Sequence, residues 1–172
     1  MNAFGDRWIG VGLAVLALIV DQVTKWWVIN EMMNPPRVIP VTPFFNLVMG
    51  WNRGISFGLM NRESAFNAWV LPLVAVVIVV ILSVWLWRNE RTIVAIAIGL
   101  VIGGALGNVV DRLRYGAVAD FLDFHAAGIH WPAFNVADTS ITVGAAMLVL
   151  ESLFARRESP KNGSGTSDMT DN

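Results

Sequence analysis

Four long stretches of apolar residues dominate the chain, and each is long enough to cross a membrane as an α-helix. They cover residues 8–28, 65–87, 93–110 and 136–154. The second stretch carries no charged side chain, and about 20 such residues suffice to span a hydrocarbon layer. The first resembles a signal-peptide core, but Asp6 offsets Arg7 in front of it and no small-x-small cleavage site follows it, so it predicts a retained span. The pattern predicts an all-α polytopic membrane protein with four transmembrane helices.

The segments between the spans predict a small platform on one side of the membrane. Residues 29–64 are rich in proline and contain two short extended stretches near 38–41 and 44–49, which favour β-strands. Because an exposed sheet edge cannot lie in hydrocarbon, we expect this β-platform at the membrane surface. Residues 111–135 form a second loop on the same side. Residues 1–155 are therefore predicted to form a single domain, followed by a polar, disordered tail over 156–172.

The distribution of basic residues predicts the orientation. An even number of spans places both termini on one side, where lysine and arginine are denser than in the two outer loops. By the positive-inside rule this side is cytoplasmic. The basic residues on it are Arg7, Arg88, Arg91, Arg156, Arg157 and Lys161.

Composition narrows the classes of function. Hydrophobic residues make up 55% of the 172 positions and charged residues only 15%, against about 25% charged in a soluble domain. The formal net charge of −1 argues against a nucleic-acid partner, which requires a basic face. The chain contains no cysteine, so a disulfide framework, a thiol nucleophile and cysteine-ligated zinc are excluded.

The polar residues of the predicted spans gather at the outer ends of the helices. Ionisable groups inside a membrane are costly and therefore mark candidate sites. Asp21 and Lys25 are four residues apart on the first helix, so they can form an ion pair or contact a substrate. Both roles remain open at this point. The residues at the outer ends are Asp21, Lys25, Asn108, Asp111, Arg112, Asn135 and Asp138, whereas Glu151 alone lies within a span toward the inner side.

The strongest candidate chemistry is a pair of carboxylates. Asp120, in the second outer loop, can fold back to face Asp138 at the start of the fourth helix. Two carboxylates held close in a low-dielectric site share a proton, so one acts as a base while the other acts as an acid. The alternative is structural, with the aspartates capping the fourth helix and pairing with Arg112 and Arg114.

Two other motifs favour structural roles. Residues 54–58 match the G-x-S-x-G pattern of a hydrolase, but Ser56 lacks the strand, helix and histidine base of that motif. A dyad of Ser56 with a deprotonated Lys25 is left as a further alternative. The glycines at 99, 103 and 107 recur every four residues, which is typical of close helix packing.

Taken in order along the chain, five motifs resemble those of the bacterial signal peptidase II family, and the resemblance extends from the first span to the fourth. The motifs are Asp21-Gln22-Val23-Thr24-Lys25, Asn52 to Gly58, Gly103 to Arg112, Val118-Ala119-Asp120-Phe121 and Phe134 to Thr139. The fold implied by the resemblance is four transmembrane helices with a small extracytoplasmic β-platform and a short loop helix.

The resemblance implies an intramembrane aspartic peptidase that cleaves lipid-modified prolipoproteins on the amino side of the diacylglyceryl cysteine. It implies Asp120 and Asp138 as the catalytic pair, and leaves Asp123 outside the motif. No metal or cofactor is implied, and the partners expected are the prolipoprotein and membrane lipid, with the enzyme monomeric in the bacterial inner membrane and its site toward the outer leaflet. Residues expected to shape the site or hold substrate are Asp21, Lys25, Asn52, Gly54, Asn108, Asp111, Arg112, Asn135 and Ala137.

Two rival functions are considered. A small proton-coupled transporter could use Asp21, Asp111 and Asp138 as a relay, but it would place its key acid near the midplane and have short loops. A non-catalytic membrane scaffold would have no need for the pair formed by Asp120 and Asp138.

Overall fold

A computed structural model describes residues 3–54 and 65–157 of the chain. Four of its helices are long and apolar enough to cross a membrane, and a small antiparallel sheet lies with them, so the predicted fold class is confirmed. The helices are α1 (Ala3–Trp27), α2 (Ala65–Arg88), α3 (Thr92–Tyr115) and α4 (Val136–Arg157), and the strands are β1 (Ile39–Thr42), β2 (Phe45–Asn52), β3 (Val118–Ala126) and β4 (Ile129–His130).

The helices extend beyond the predicted spans. A π-helical turn, Val28–Met32, continues α1, and α3 runs past its predicted end at residue 110 to Tyr115. The expectation that outer loop 2 begins at 111 was wrong because Asp111 is buried in the helix rather than released into water. The helix is capped instead by Gly116, whose φ of 69° is favourable for glycine and whose N–H donates to the carbonyl of Arg112 at 3.0 Å.

Both outer loops contribute to the sheet, whose strand order is β1-β2-β3-β4. Strand β3 lies in the loop that showed no strand pattern, because its first four residues are all buried and do not alternate. It pairs antiparallel with β2, and this register places Gly50 opposite Asp120.

Parts of three predictions lie outside the described residues: the short loop helix, Ser56 and the disordered tail. Within the described part of the chain, only Val28–Met32 is helical apart from the four long helices. Residues 156 and 157 of the predicted tail belong to α4. Residues 55–64 and 158–172 are not described.

Helix α3 is central because its glycines let two other helices approach closely. A Cβ atom at Gly103 would collide with the backbone carbonyl of Ala14 in α1, and one at Gly104 would collide with that of Ala137 in α4. The predicted packing surface is therefore present on α3. This close contact brings the polar ends of α1, α3 and α4 together at the same end of the bundle as the sheet.

Candidate active site

Asp120 and Asp138 lie at this junction of sheet and helices and are linked by one residue, Asn135. Asp120 is in β3, and Asp138 is in the first turn of α4. The Asn135 side-chain amide donates to Asp120 Oδ1 at 2.7 Å, and its backbone N–H donates to Asp138 Oδ2 at 3.2 Å. The structure thus brings together the two carboxylates that the sequence predicted as a pair.

Asn135 and Asp138 also cap α4. The Asn135 Oδ1 atom accepts the backbone N–H of Asp138 at 2.9 Å, while Asp138 Oδ2 accepts the backbone N–H of Asn135. This reciprocal arrangement is a capping box, which satisfies N–H groups that a helix N-terminus leaves free. The structural alternative is therefore correct for Asp138, and the same contacts fix its carboxylate beside the polar cluster.

Every oxygen of the two carboxylates faces an N–H donor. The Asn52 amide donates to Asp120 Oδ2 at 3.0 Å, and the Asn108 amide donates to Asp138 Oδ1 at 2.8 Å. The backbone N–H of Gly54 donates to Asn52 Oδ1 at 2.9 Å, so the amino end of the Asn52 amide must point to Asp120. Gly54 has a φ of 91°, a conformation that favours glycine at this position.

The surroundings of Asp120 favour its protonated form. Only 4% of the residue is exposed, and this burial raises the pKa of the carboxyl to about 6. The hydrogen bond from Asn52 opposes the rise, whereas the negative charge of Asp138 adds to it. A carboxyl with this pKa can hold a proton close to neutral pH, as a general acid must.

A buried ionic cluster lies beneath the pair. Lys25 donates to Asp21 at 2.9 Å and to Asp111 at 2.8 Å, and all three side chains are at most 2% exposed. Its third contact is Asn108 Oδ1 at 3.1 Å. Of the two roles left open for Asp21 and Lys25, the structure therefore shows the ion pair.

The cluster ties the three helices together. Asp21 Oδ1 accepts the backbone N–H of Ala137 at 2.9 Å, which joins α1 to α4. Ala137 is fully buried and faces Gly104 and Gly107 of α3, so no larger side chain fits there. Gln22 was not among the predicted site residues, although a polar residue beside Asp21 within a span indicates a buried polar contact. Gln22 donates to Asp111 Oδ1 at 3.0 Å and to the Gly107 carbonyl at 3.2 Å.

Asp123 lies apart from the pair. It is three residues from Asp120 on one strand, and alternation therefore places the two side chains on opposite faces of the sheet. Asp123 accepts hydrogen bonds from Asn46 at 3.0 Å and from His130 at 2.9 Å. The contact with His130 lowers the pKa of the Asp123 carboxyl.

Two arginines were predicted as possible partners of the aspartates. Arg112 donates to the Asn108 carbonyl at 3.3 Å and lies within electrostatic range of Asp138 and Asp120. Arg114 instead places its guanidinium over the Tyr115 ring, 5.3 Å from the centroid.

A cavity of about 440 Å³ borders Asp138 and runs along the first two turns of α4. Its walls are largely apolar, and Val143, which lines it, is 46% exposed. Asp138 is only half-buried, so the cavity gives a bound molecule access to its carboxylate. The lining residues are Trp131, Pro132, Ala133, Phe134, Asp138, Thr139, Thr142 and Val143.

Among the described residues, no group of three or more His, Asp or Glu side chains is arranged to hold a metal ion.

This fold and this site define a polytopic membrane protein with a linked carboxylate pair beneath a small sheet. The family model for signal peptidase (SPase) II matches residues 13–154. The chain belongs to the signal peptidase II family, and it is accordingly an aspartic peptidase and a multi-pass bacterial membrane protein. This membership does not favour the transporter alternative.

Curated relatives carry the name lipoprotein signal peptidase. The protein of Beijerinckia indica is 41% identical over 84% of this chain and 87% of its own length. That of Methylorubrum extorquens is 43% identical over 89% and 88%, and that of Ralstonia nicotianae is 40% identical over 85% and 83%. A solved structure described as a bacterial membrane enzyme, at 2.3 Å resolution, has a TM-score of 0.76 and 27% identity over 91% of this chain and 94% of its own.

Because Asn135 both caps α4 and contacts Asp120, two substitutions should separate these roles. Asn135→Ser keeps an oxygen that can cap the helix but cannot reach Asp120, whereas Asn135→Ala removes both contacts. We expect Asn135→Ala to lower the free energy of unfolding in detergent by about 1 kcal/mol and Asn135→Ser to lower it much less. Thermal unfolding followed by circular dichroism measures the difference. Equal destabilisation by the two variants would contradict the capping role.

Proposed function

We propose that this chain removes the signal peptide from lipid-modified prolipoproteins by cleaving the bond on the amino side of the diacylglyceryl cysteine. Membership of the signal peptidase II family supports this activity, as do relatives about 40% identical that are named lipoprotein signal peptidases. These relatives match over most of both chains. An apolar cavity beside a polar site suits a substrate whose acyl chains lie in lipid while its peptide bond meets water.

We propose Asp120 and Asp138 as the catalytic pair. The observation that carries this proposal is the double contact of Asn135, which holds one carboxylate through its side chain and the other through its backbone. Asp138 sits at the N-terminus of α4, where the helix dipole favours a negative charge. Asp120 is buried with a raised pKa. Asp138 is therefore the base and Asp120 the acid at the start of the reaction.

The reaction follows from these protonation states. Asp138 takes a proton from a water molecule as the water oxygen attacks the scissile carbonyl carbon, and Asp120 gives its proton to the carbonyl oxygen. The neutral tetrahedral intermediate then collapses. Asp120 takes back a hydroxyl proton, Asp138 gives its proton to the leaving nitrogen, and the C–N bond breaks. Each aspartate ends in the state in which it began, so no further proton donor is required.

Arg112 is proposed to stabilise the oxygen of the intermediate. The amides of Asn108 and Asn135 are neutral donors that already contact the aspartates, whereas the guanidinium of Arg112 is charged and is the stronger donor. The buried Nε atom of Arg112 has no hydrogen-bond partner within the described part of the chain, and the guanidinium lies within electrostatic range of both carboxylates. A fixed donor of this kind lowers the energy of the partial negative charge that builds up on the carbonyl oxygen before Asp120 has transferred its proton.

The remaining predicted site residues are proposed to shape the site. Asp21, Lys25 and Asp111 are buried beneath the pair, so they hold the helices together and do not contact substrate. Asn52 and Gly54 position the β2 side of the site, and Ala137 provides space for the contact of α4 with α3. No cofactor takes part in the proposed reaction, and a monomer contains every group that it uses.

The test of the catalytic pair is single substitution of each aspartate by asparagine. Asp120→Asn and Asp138→Asn should each abolish cleavage of a lipidated prolipoprotein, because neither variant can complete the proton exchange. Asp123→Asn is the matched control, since it changes a buried aspartate of the same strand on the opposite face and should remain active. Cleavage is measured by the change in substrate mobility on gels after reconstitution. An active Asp120→Asn or Asp138→Asn protein would refute the pair.

The pH dependence of cleavage tests the role of Asp120 as acid. Asp120 is active while protonated, so cleavage falls as pH rises through its pKa, which is about 6 in the free protein. The Asn52 hydrogen bond stabilises the ionised form and lowers this pKa. Asn52→Ala should therefore raise the pKa of Asp120. The fall of kcat/KM at alkaline pH should then occur about one pH unit higher. Asn46→Ala, which removes the equivalent contact to Asp123, should leave the pH of this fall unchanged, and a downward shift for Asn52→Ala would contradict the assignment.

We propose that both termini are cytoplasmic and that the site faces the outer leaflet of the inner membrane. The density of basic residues on the side of the termini supports this orientation. Because the chain has no cysteine, single cysteines can report it. In intact spheroplasts a membrane-impermeant maleimide should label Ile129→Cys, at a position of β4 that is 77% exposed, but not Glu90→Cys, in the loop between α2 and α3. The reverse labelling pattern would overturn the orientation.

A further inference from the structure

The proposed reaction makes no use of Lys25, although it is an ionisable residue buried within a span. Its ammonium has three N–H groups and three acceptors: Asp21 at 2.9 Å, Asp111 at 2.8 Å and Asn108 Oδ1 at 3.1 Å. Two carboxylates alone would neutralise an ammonium. The third contact, to a neutral amide that reaches Asp138, calls for a separate explanation.

An ammonium can only donate hydrogen bonds, whereas an amide side chain donates from one end and accepts at the other. The end of Asn108 that faces Lys25 must therefore be the oxygen, and its amino group is directed to Asp138 Oδ1 at 2.8 Å. The Asn135 amide also donates to Asn108 Oδ1, but at 3.4 Å it is the more distant donor. An amino group can only donate, so Asp138 Oδ1 must accept. The other oxygen of Asp138 accepts the backbone N–H of Asn135. Both oxygens of Asp138 are thus held as acceptors, as in the ionised carboxylate. Asp120 also accepts at both oxygens, but it is buried and burial favours its proton, whereas Asp138 is half-buried and its donors favour the charge.

We propose that Lys25 is a positioning residue of the peptidase, which fixes the orientation of the Asn108 amide and thereby holds Asp138 as the carboxylate that acts as base. This inference rests on the proposed function of the aspartate pair. If the Asn108 amide turned over, its oxygen would face Asp138 Oδ1, and a proton on that atom would be favoured. Such an enzyme would start the reaction with its base already protonated.

The rival role for Lys25 is charge balance. Lys25 compensates Asp21 and Asp111, and the charges facing Asp138 also include Arg112 of α3 and Asp120 of β3. Removing Lys25 alone would leave two buried carboxylates unpaired and destabilise the protein. A variant that separates the two roles must keep the net charge of the cluster and remove only the donor to Asn108.

The double variant Lys25→Met/Asp111→Asn meets this requirement. It removes one positive and one negative charge, and asparagine at 111 can still accept the backbone N–H of Ala119, which is 3.2 Å from Asp111 Oδ2. We expect the single-turnover rate at saturating lipidated peptide to fall about 10- to 100-fold, as is typical when a group that orients catalytic ligands is lost. The KM should stay unchanged, because Lys25 does not reach the substrate.

Asp111→Asn alone is the matched control, since it retains the Lys25 donor. If it slows cleavage as much as the double variant does, the loss comes from Asp111 and the proposal is overturned. Lys25→Met/Asp21→Asn is a second charge-balanced variant, used if the first fails to insert or unfolds at a lower temperature. A parental cleavage rate in whichever charge-balanced variant folds would likewise overturn the proposal.

A double-mutant cycle with Asn108 tests whether Lys25 acts through the Asn108 amide. In an Asn108→Ala background, the charge-balanced substitution should slow cleavage no further, because the amide through which Lys25 acts is absent. Losses that multiply would show a separate effect of Lys25 and overturn the proposal. The aspartate substitutions keep this test distinct. If Asp120→Asn and Asp138→Asn are inactive while the charge-balanced variants cleave at the parental rate, only the role of Lys25 fails.

Discussion

The burial of the Lys25 ammonium between Asp21 and Asp111 is the interaction on which the rest of the structure depends. A charge inside a membrane-spanning helix is tolerated only when it is paired and hydrogen-bonded within the protein. Since the two carboxylates come from α1 and α3, the pairing fixes the register of these helices. Asp21 extends the constraint to α4 through the backbone of Ala137. Small residues on α3 make the contact possible, because a larger side chain would hold the helices apart.

The same cluster attaches the sheet to the helices. Asp111 Oδ2 accepts the backbone N–H of Ala119, the residue before Asp120, and the Asn135 amide lies near the Ala119 carbonyl as well as the Asp120 carboxylate. The strand that carries one aspartate is therefore tied to both α3 and α4. A loop would leave the separation of Asp120 and Asp138 variable, whereas these contacts fix both residues on regular elements. Precise placement of this kind is what a shared proton requires.

The sequence predicted the features that depend on composition and periodicity, but not those that depend on partners distant in the chain. The spans follow from the length of apolar segments, and the polar cluster follows from the cost of charges in lipid. The extension of α3 to Tyr115 could not be predicted, because a charged residue such as Asp111 normally indicates the end of a span. Only its partner on α1, Lys25, explains why it is buried in the helix. Strand β3 was missed because burial of both faces removes alternation. The same strand explains why Asp123 is separate from Asp120, although the two are close in sequence.

Structural and catalytic roles need not compete for the same residue. In water, a carboxylate finds donors from solvent, but in a buried site the protein must supply them in fixed directions. Each of three asparagine amides is anchored at its oxygen by a group that can only donate: the Gly54 N–H for Asn52, the Asp138 N–H for Asn135, and Lys25 for Asn108. Their amino groups are consequently turned toward the two aspartates. A helix cap, a turn and a buried ion pair, each explicable as a stabilising feature, thus together determine the hydrogen bonding of the carboxylate pair.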